Sequence, residues 1–182
     1  MATNLSETQK KYPLSPKKIL KKSLSGLSGW FTLFVIFYVA YKIFFYQYSL
    51  STEAIRFLTS ASLWFNMISI VIILWTFIYQ YWYFVTYYYE FSDNFIVIKK
   101  DPITPREVTI PFERIQDVYV DQDLLDRILG LYDVHLSSAT ISSGYEAHID
   151  GVEKTSADGL KTDLLNIVRD RISKNKVKWT TR

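Results

Sequence analysis

Thirty-three consecutive residues, Phe57 to Tyr89, carry no charge. As a helix that run would measure about 50 Å, whereas about 20 apolar residues cross a hydrocarbon core of about 30 Å. It therefore holds one membrane span, placed at about residues 63–85. Tyr87, Tyr88 and Tyr89 then fall in the headgroup layer, where Tyr and Trp are enriched. Asn66 and Gln80 are its polar exceptions and are expected to hydrogen-bond between helices or at the interface.

A second apolar stretch precedes it. Ser23 to Tyr41 is free of charge, and a span is placed at about residues 27–46. Lys42 lies near its far end, where a long stem lets the ammonium snorkel to the headgroups. Residues 48–62 are too few for a domain and are read as a connector. Of the 31 aromatic residues, 23 lie between Trp30 and Tyr89, so the ordinary average hydrophobicity hides a segregated chain. The lysines ahead of the first span have the look of a signal-peptide n-region. The apolar stretch is too long for one and no small-x-small cleavage site follows, so it is read as a signal anchor.

Charge supplies the orientation. Six lysines (Lys10, Lys11, Lys17, Lys18, Lys21 and Lys22) precede the first span, Arg56 alone lies in the connector, and Lys99, Lys100 and Arg106 follow the second. The positive-inside rule puts both termini in the cytoplasm of a multi-pass protein of the cell membrane. A cytoplasmic N-terminus makes the glycosylation acceptor Asn4-Leu5-Ser6 irrelevant. Residues 1–29 are net +5, residues 90–168 net −8 and residues 169–182 net +5. A nucleic-acid binder concentrates positive charge on its folded domain. Here the domain is acidic and the ends are basic, which suits an anionic membrane surface and speaks against nucleic acid. Cysteine is absent, which excludes disulfides, thiolate chemistry and cysteine zinc sites.

Beyond Tyr89 short strands alternate with turn residues. Residues 87–91 and 95–100 flank Ser92-Asp93-Asn94 as a hairpin. Val108, Ile110 and Phe112 mark one face of a third strand, and Val118 and Val120 one face of a fourth. Leu124, Leu125, Ile128 and Leu129 break the alternation as a short helix, stopped by Gly130 in a left-handed conformation. Strands at about 132–139 and 145–152 flank Ser142-Ser143-Gly144. An amphipathic helix over about 156–173 follows. Ser156 is its expected N-cap, its stripe is Leu160, Leu164, Val168 and Ile172 widened by Leu165 and Ile167, and Arg169, Arg171 and Lys174 sit near its end. It is expected to pack on the sheet.

Ile110-Pro111, Ile115-Gln116-Asp117-Val118, Leu124-Leu125 and Leu129-Gly130-Leu131 resemble the prokaryotic pleckstrin-homology-like domains, in particular the membrane-flanked type in which two spans precede the domain. The resemblance covers about residues 87–172. It implies an α+β protein: a transmembrane two-helix hairpin, then a PH-like β-barrel or sandwich closed by one C-terminal α-helix. The organisation expected is a basic cytoplasmic N-terminal segment over 1–26, the hairpin over 27–86, the PH-like domain over 87–173 and a basic tail over 174–182. The family fold has seven strands against the six counted here, which places a seventh around 112–116 or 137–143. Such domains often carry a glycine in the turn after the second strand, where this chain has Asp101-Pro102.

Eukaryotic relatives of the fold can bind phosphoinositides in a basic pocket at the open end of the sheet, which makes Lys99, Lys100 and Arg106 the corresponding candidates. With Lys17, Lys18, Lys21 and Lys22 they form the expected set of lipid-surface contacts. The net charge of −8 weighs against a specific headgroup pocket. Asp121, Asp123, Asp126 and Asp133 lack the glycine and terminal Glu of a calcium loop and read as solvated carboxylates flanking the short helix. His135 and His148 lack partners at ligand spacing and read as surface or edge residues. The serines and threonines of 137–143 have no base or oxyanion motif beside them. The expectation is a module without catalysis, metal or cofactor, whose partners are the bilayer and either itself or another membrane protein. Anionic-lipid sensing is the alternative. A third reading is an accessory subunit of a transporter or of an envelope-stress or antimicrobial-resistance system.

Overall fold

A computed structural model describes residues 5–47, 50–138 and 147–180; the side chains of 174–180 lie outside that description. The chain forms two compact units, one of residues 1–21 with 82–182 and one of residues 22–81.

Two long helices supply the second unit: α2 (Lys17–Gln47) and α3 (Thr52–Thr86), following a short α1 (Glu7–Lys11). Both α2 and α3 are long and apolar enough to cross a membrane. The expected 48–62 connector is mostly helix, because Thr52–Ser62 contains no Gly or Pro and Ser51 caps it, accepting from the Ala54 N–H at 3.3 Å. Within this unit Phe65 of α3 stacks on Trp30, Phe34 and Phe37 of α2 at 5.6, 5.8 and 4.0 Å. Asn66 plays the interhelical role expected of it, accepting from the Tyr38 hydroxyl at 2.8 Å.

The other unit carries six described strands in two antiparallel sheets. One is β1 (Tyr88–Phe91), β2 (Phe95–Lys100) and β3 (Arg106–Pro111) in that order; the other is β4 (Ile115–Asp121), β5 (Leu131–Ser138) and β6 (His148–Glu153). Between them run a 3-10 turn (Phe112–Arg114) and α4 (Leu124–Leu129), and α5 (Lys154–Thr180) closes the chain. Tyr89, Ile96, Ile98 and Ile110 from the first sheet meet Val118, Val134, Leu136 and Ile149 from the second in one core, together with Ala157, Leu160 and Leu164 of α5.

Several expectations need correction. The barrel is not closed: the described strands form two separate sheets. Pro111 has no N–H to continue a ladder, and the chain turns through Phe112–Arg114 before β4 begins. No seventh strand forms at 112–116; residues 139–143, and the Ser142-Ser143-Gly144 turn, lie outside the described residues. Helix α5 starts at Lys154, so Ser156 sits inside its first turn and does not cap it. The α5 stripe is narrower than the pattern suggested, since Leu165 and Ile172 are exposed. Residues 5–21 are not a separate basic segment but part of the β-rich unit.

Those residues form a strap across the open seam. The free edge of β1 is satisfied by side chains: Ser6 Oγ donates to Tyr89 O, Gln9 Nε2 to Tyr87 O at 3.0 Å, and Phe91 N–H donates to Thr8 Oγ1 at 3.0 Å. Ser6 and Gln9 also form a capping box on α1. Further on, Leu14 bridges Val152 and the Ser15 N–H donates to Gly151 O at 2.9 Å, covering the edge of β6. Tyr12 packs against Gly159 of α5, where any Cβ would collide with its ring. At the turn where the family resemblance implied glycine, Asp101 itself adopts φ +66°, a conformation that short polar side chains tolerate best after glycine.

Two substitutions test this picture. Gly159→Ala drives Tyr12 off α5 and costs about 1–3 kcal/mol, and hydrogen exchange over residues 6–12 rises with it. Asp101→Gly leaves the melting temperature unchanged or higher, whereas Asp101→Val lowers stability by about 1–2 kcal/mol.

Candidate functional site

The best-built polar site lies where the first turns of α2 enter the β-rich unit. Lys18 and Lys21 are one turn apart and face the same way. Lys18 is 1% exposed and its ammonium donates to Asp150 Oδ1 at 2.7 Å, a carboxylate equally buried. The same ammonium stands 3.5 Å from the centre of the Tyr87 ring, a cation–π contact in a desolvated place. Tyr87 in turn donates its hydroxyl to His148 O at 2.9 Å, and burial pushes its pKa well above the usual value. Gly151 makes this approach feasible: its φ is +78°, and a Cβ there would lie 2.7 Å from that of Lys18.

Lys21 gathers three carboxylates: Asp126 at 2.6 Å, Asp133 at 2.9 Å and Asp123 at 3.3 Å. Burial disfavours its charge, but the bonds to Asp126 and Asp133 outweigh that and raise its pKa. Asp126 is fully buried and shares a capping box with Asp123 at the start of α4. Burial raises the Asp126 carboxyl above the usual range despite Lys21. Asp123, the most exposed of the three, pays a smaller burial cost, and the Asp126 N–H and Lys21 lower it. With three acids on one ammonium, the most enclosed carboxyl is the one that holds its proton longest.

These positions correct two expectations. Lys18 and Lys21 are buried ion-pair partners and cannot be lipid-surface contacts. Asp126 and Asp133 are not solvated carboxylates, because each is committed to Lys21. Lys17 is exposed and donates to Leu129 O at 3.1 Å; Lys22 is half-buried. Around the turn at Asp101, Lys99 pairs with Glu107 at 3.0 Å, Arg106 lies 3.9 Å from Asp101, and Lys100 Nζ is 3.3 Å from His148 Nδ1. Each of those three cations therefore already meets a protein group, and they do not converge as a set on one pocket.

The two histidines are not isolated. Tyr119, His135 and His148 are cross-strand neighbours on β4, β5 and β6, with rings stacked at 4.9 and 5.2 Å. Asp121, Asp133 and His135 bring one ligand atom each within 4.8 Å of one another. Several of these atoms already have partners: Asp133 takes Lys21 and the Gly151 N–H at 2.8 Å, and His135 Nε2 faces Asp121 at 3.1 Å, while the buried His135 Nδ1 has no hydrogen-bond partner among the described residues. The signal in the sequence for this site is the meeting of an acidic domain with lysines at helical spacing in the same chain, which a reading of the lysines as a lipid-facing tail passes over.

Residues 30–174 match the family model of the bacterial PH domain. The chain belongs to that family, and the match takes in most of the helical hairpin as well as the six described strands. Neither the curated proteins nor the solved structures yield a match. PH-like domains are protein-interaction or lipid-binding modules and are generally non-catalytic.

Two measurements probe the site. Lys18→Met leaves the Asp150 carboxylate buried without its ammonium and costs about 3–5 kcal/mol; adding Asp150→Leu restores most of the lost melting temperature. On the strap, the bond from Lys11 holds the Asp163 carboxyl below its usual 3.8, and the Asp163 bond raises Lys11 to about 12. The stabilisation from Asp163 is thus present above pH 3.8 and lost as pH falls through its folded value. That from Lys11 is complete below pH 10.5 and lost as pH rises through about 12. An NMR titration of the Asp163 carboxyl finds a midpoint below 3.8, and Lys11→Met returns it toward 3.8.

Proposed function

We propose that this protein anchors a PH-like module to the cytoplasmic face of the cell membrane through two spans, with both termini cytoplasmic, and that the module acts by protein–protein contact or assembly without catalysis. The observation that carries this reading is the root of α2. The residues just before an apolar segment long enough to cross a bilayer are buried inside the module as ion pairs. The cations that a headgroup pocket would use, Lys99, Lys100 and Arg106, are engaged by Glu107, His148 and Asp101, which favours protein contact over specific lipid capture.

A second reading keeps the lipid surface as the ligand. Lys99 and Arg106 have side chains 50% and 68% exposed, and an exposed cation near an anionic surface contributes about 1 kcal/mol. Service as an accessory subunit of a transporter or envelope-stress system is a form of the first reading, in which the partner is another membrane protein.

Alkaline extraction and protease protection on intact cells test the anchoring: the protein stays in the pellet, and external protease spares the C-terminal half. Crosslinking in native membranes tests the contact. A recurrent neighbour or a self-adduct is expected, and a strict monomer with no co-purifying protein would overturn the assembly reading. Lys99→Glu with Arg106→Glu separates the two readings. It leaves the crosslinked neighbour in place if the module works by protein contact, and abolishes any preference for anionic over neutral bilayers if it works by lipid.

A further inference from the structure

We infer that the outer edge of β3 docks a second copy of this chain, whose own β3 pairs with it antiparallel about a two-fold axis at Val108. The inference deepens the assembly reading above and rests on it. In the β2–β3 ladder Phe95 faces Pro111, Val97 faces Thr109 and Lys99 faces Glu107. One pair further on, the Phe112 N–H donates to Asn94 O at 3.0 Å, which marks that pair as hydrogen-bonded. Bonded and non-bonded pairs alternate along an antiparallel ladder. Arg106, Val108 and Ile110 therefore bond to β2, and the backbone N–H and C=O groups of Glu107 and Thr109 point to the outer edge. The same count on the other side of the sheet, from the Ser92 N–H bond to Phe95 O, turns Tyr87, Tyr89 and Phe91 outward. Those are the three residues whose backbone the strap satisfies. Nothing does this for β3. Arg106, Glu107, Thr109 and Pro111 are exposed, and among the described residues no hydrogen bond reaches the outward groups of Glu107 and Thr109.

The edge is self-complementary, which selects a second copy as the occupant. Two registers fail. Pairing Glu107 with the partner's Glu107 sets like charges opposite each other, which destabilises a sheet. Pairing Thr109 with the partner's Thr109 sets Glu107 against the partner's Pro111, which has no N–H to give. The register between them pairs Glu107 with the partner's Thr109 on both sides of Val108, and each such pair exchanges both of its N–H···O bonds. Val108, half-buried in one copy, then meets the partner's Val108 across the axis, a β-branched pair that sheets favour. Glu107 brings little net charge to this contact, because Lys99 pairs with it at 3.0 Å. Pro105 and Pro111 occupy the next outward positions and end the ladder at either side. The strap gives the assembly a limit. With the β1 edge of each copy already satisfied, the joined sheet offers no strand edge to a third copy, and the pairing closes as a dimer. An edge contact of this size is weak between free molecules; anchoring both copies in one membrane raises their effective concentration.

The chain has no cysteine, so a single introduced cysteine reports only its own contact. Val108→Cys, Thr109→Cys and Glu113→Cys are each made in the full-length protein and oxidised in native membranes. Facing residues of a non-bonded pair lie about 4.5 Å apart at Cα, within the about 4.4–6.8 Å that a disulfide spans. Val108→Cys is expected to give at least tenfold more disulfide dimer than Glu113→Cys, an exposed position off the edge that measures random collision. Thr109→Cys stays near that background, because the two copies of residue 109 sit diagonally, about 7–8 Å apart. Changes at Thr109, an exposed side chain, then test the register on the Val108→Cys background. Thr109→Glu sets a second carboxylate opposite the partner's Glu107 and lowers the dimer at least threefold, whereas Thr109→Lys holds or raises it. If general crosslinking finds a neighbour or self-adduct but Val108→Cys forms no more dimer than Glu113→Cys, this edge is the wrong surface and the assembly reading survives. If neither finds a neighbour, the assembly reading fails and the docking edge with it. Photocrosslinking from residue 108 to a different protein, without homodimer, would also overturn the second copy as occupant.

Discussion

A lysine ammonium buried among β-strands is tolerable only with a carboxylate at hydrogen-bond distance, and most of the first unit is arranged around meeting that condition. Lys18 needs Asp150 at 2.7 Å and the face of Tyr87 at 3.5 Å. Asp150 needs β6 held in place, and the backbone beside it needs a glycine at 151 to let the lysine stem pass. Lys21 one turn later draws in α4 and β5 through Asp126 and Asp133. Such pairs are poor sources of net stability compared with apolar groups of the same shape. What they supply is direction: only one rotation of the turn from Lys17 to Lys21 places both ammonium groups on their acids.

The second organising fact is an unclosed sheet. Exposed strand edges invite pairing with other chains and are usually covered or charged. This chain covers β1 with the side chains of Ser6, Thr8 and Gln9 and covers β6 with one bridge at Leu14. Tyr12 and Lys11 then fasten the strap to Asp163 on α5 at 2.8 and 2.7 Å. A segment that reads as a basic tail is thus a structural component, leaving less edge for unspecific pairing and giving any specific contact fewer places to form. The family fold supplies the scaffold, while function belongs to whatever surfaces it leaves open.

Much of this was legible in the residues. The charge-free run from Phe57 to Tyr89, the hairpin at Ser92–Asn94, the left-handed stop at Gly130 and the Leu160/Leu164 face follow from hydropathy, turn chemistry and periodicity, all of which act over a few residues. Asn66 as an interhelical hydrogen bonder follows from the cost of a polar group in an apolar helix. The candidate site was legible only as separate parts. Lys18, Lys21, Asp126, Asp133 and Asp150 were visible as charges, but their pairing joins residues more than a hundred positions apart.

The sequence by itself determined the apolar helices, the order of the strands and the family, because each depends on local pattern or on short motifs. Only the tertiary structure decided which lysines face solvent and which are buried, that residues 5–15 seal an open seam, and that α4 presents two leucine-sized side chains outward. The physical reason is that a charged side chain carries no mark of its partner. Whether an ammonium is solvated, neutralised or set against an aromatic ring is fixed by what the fold brings to within a few ångströms of it.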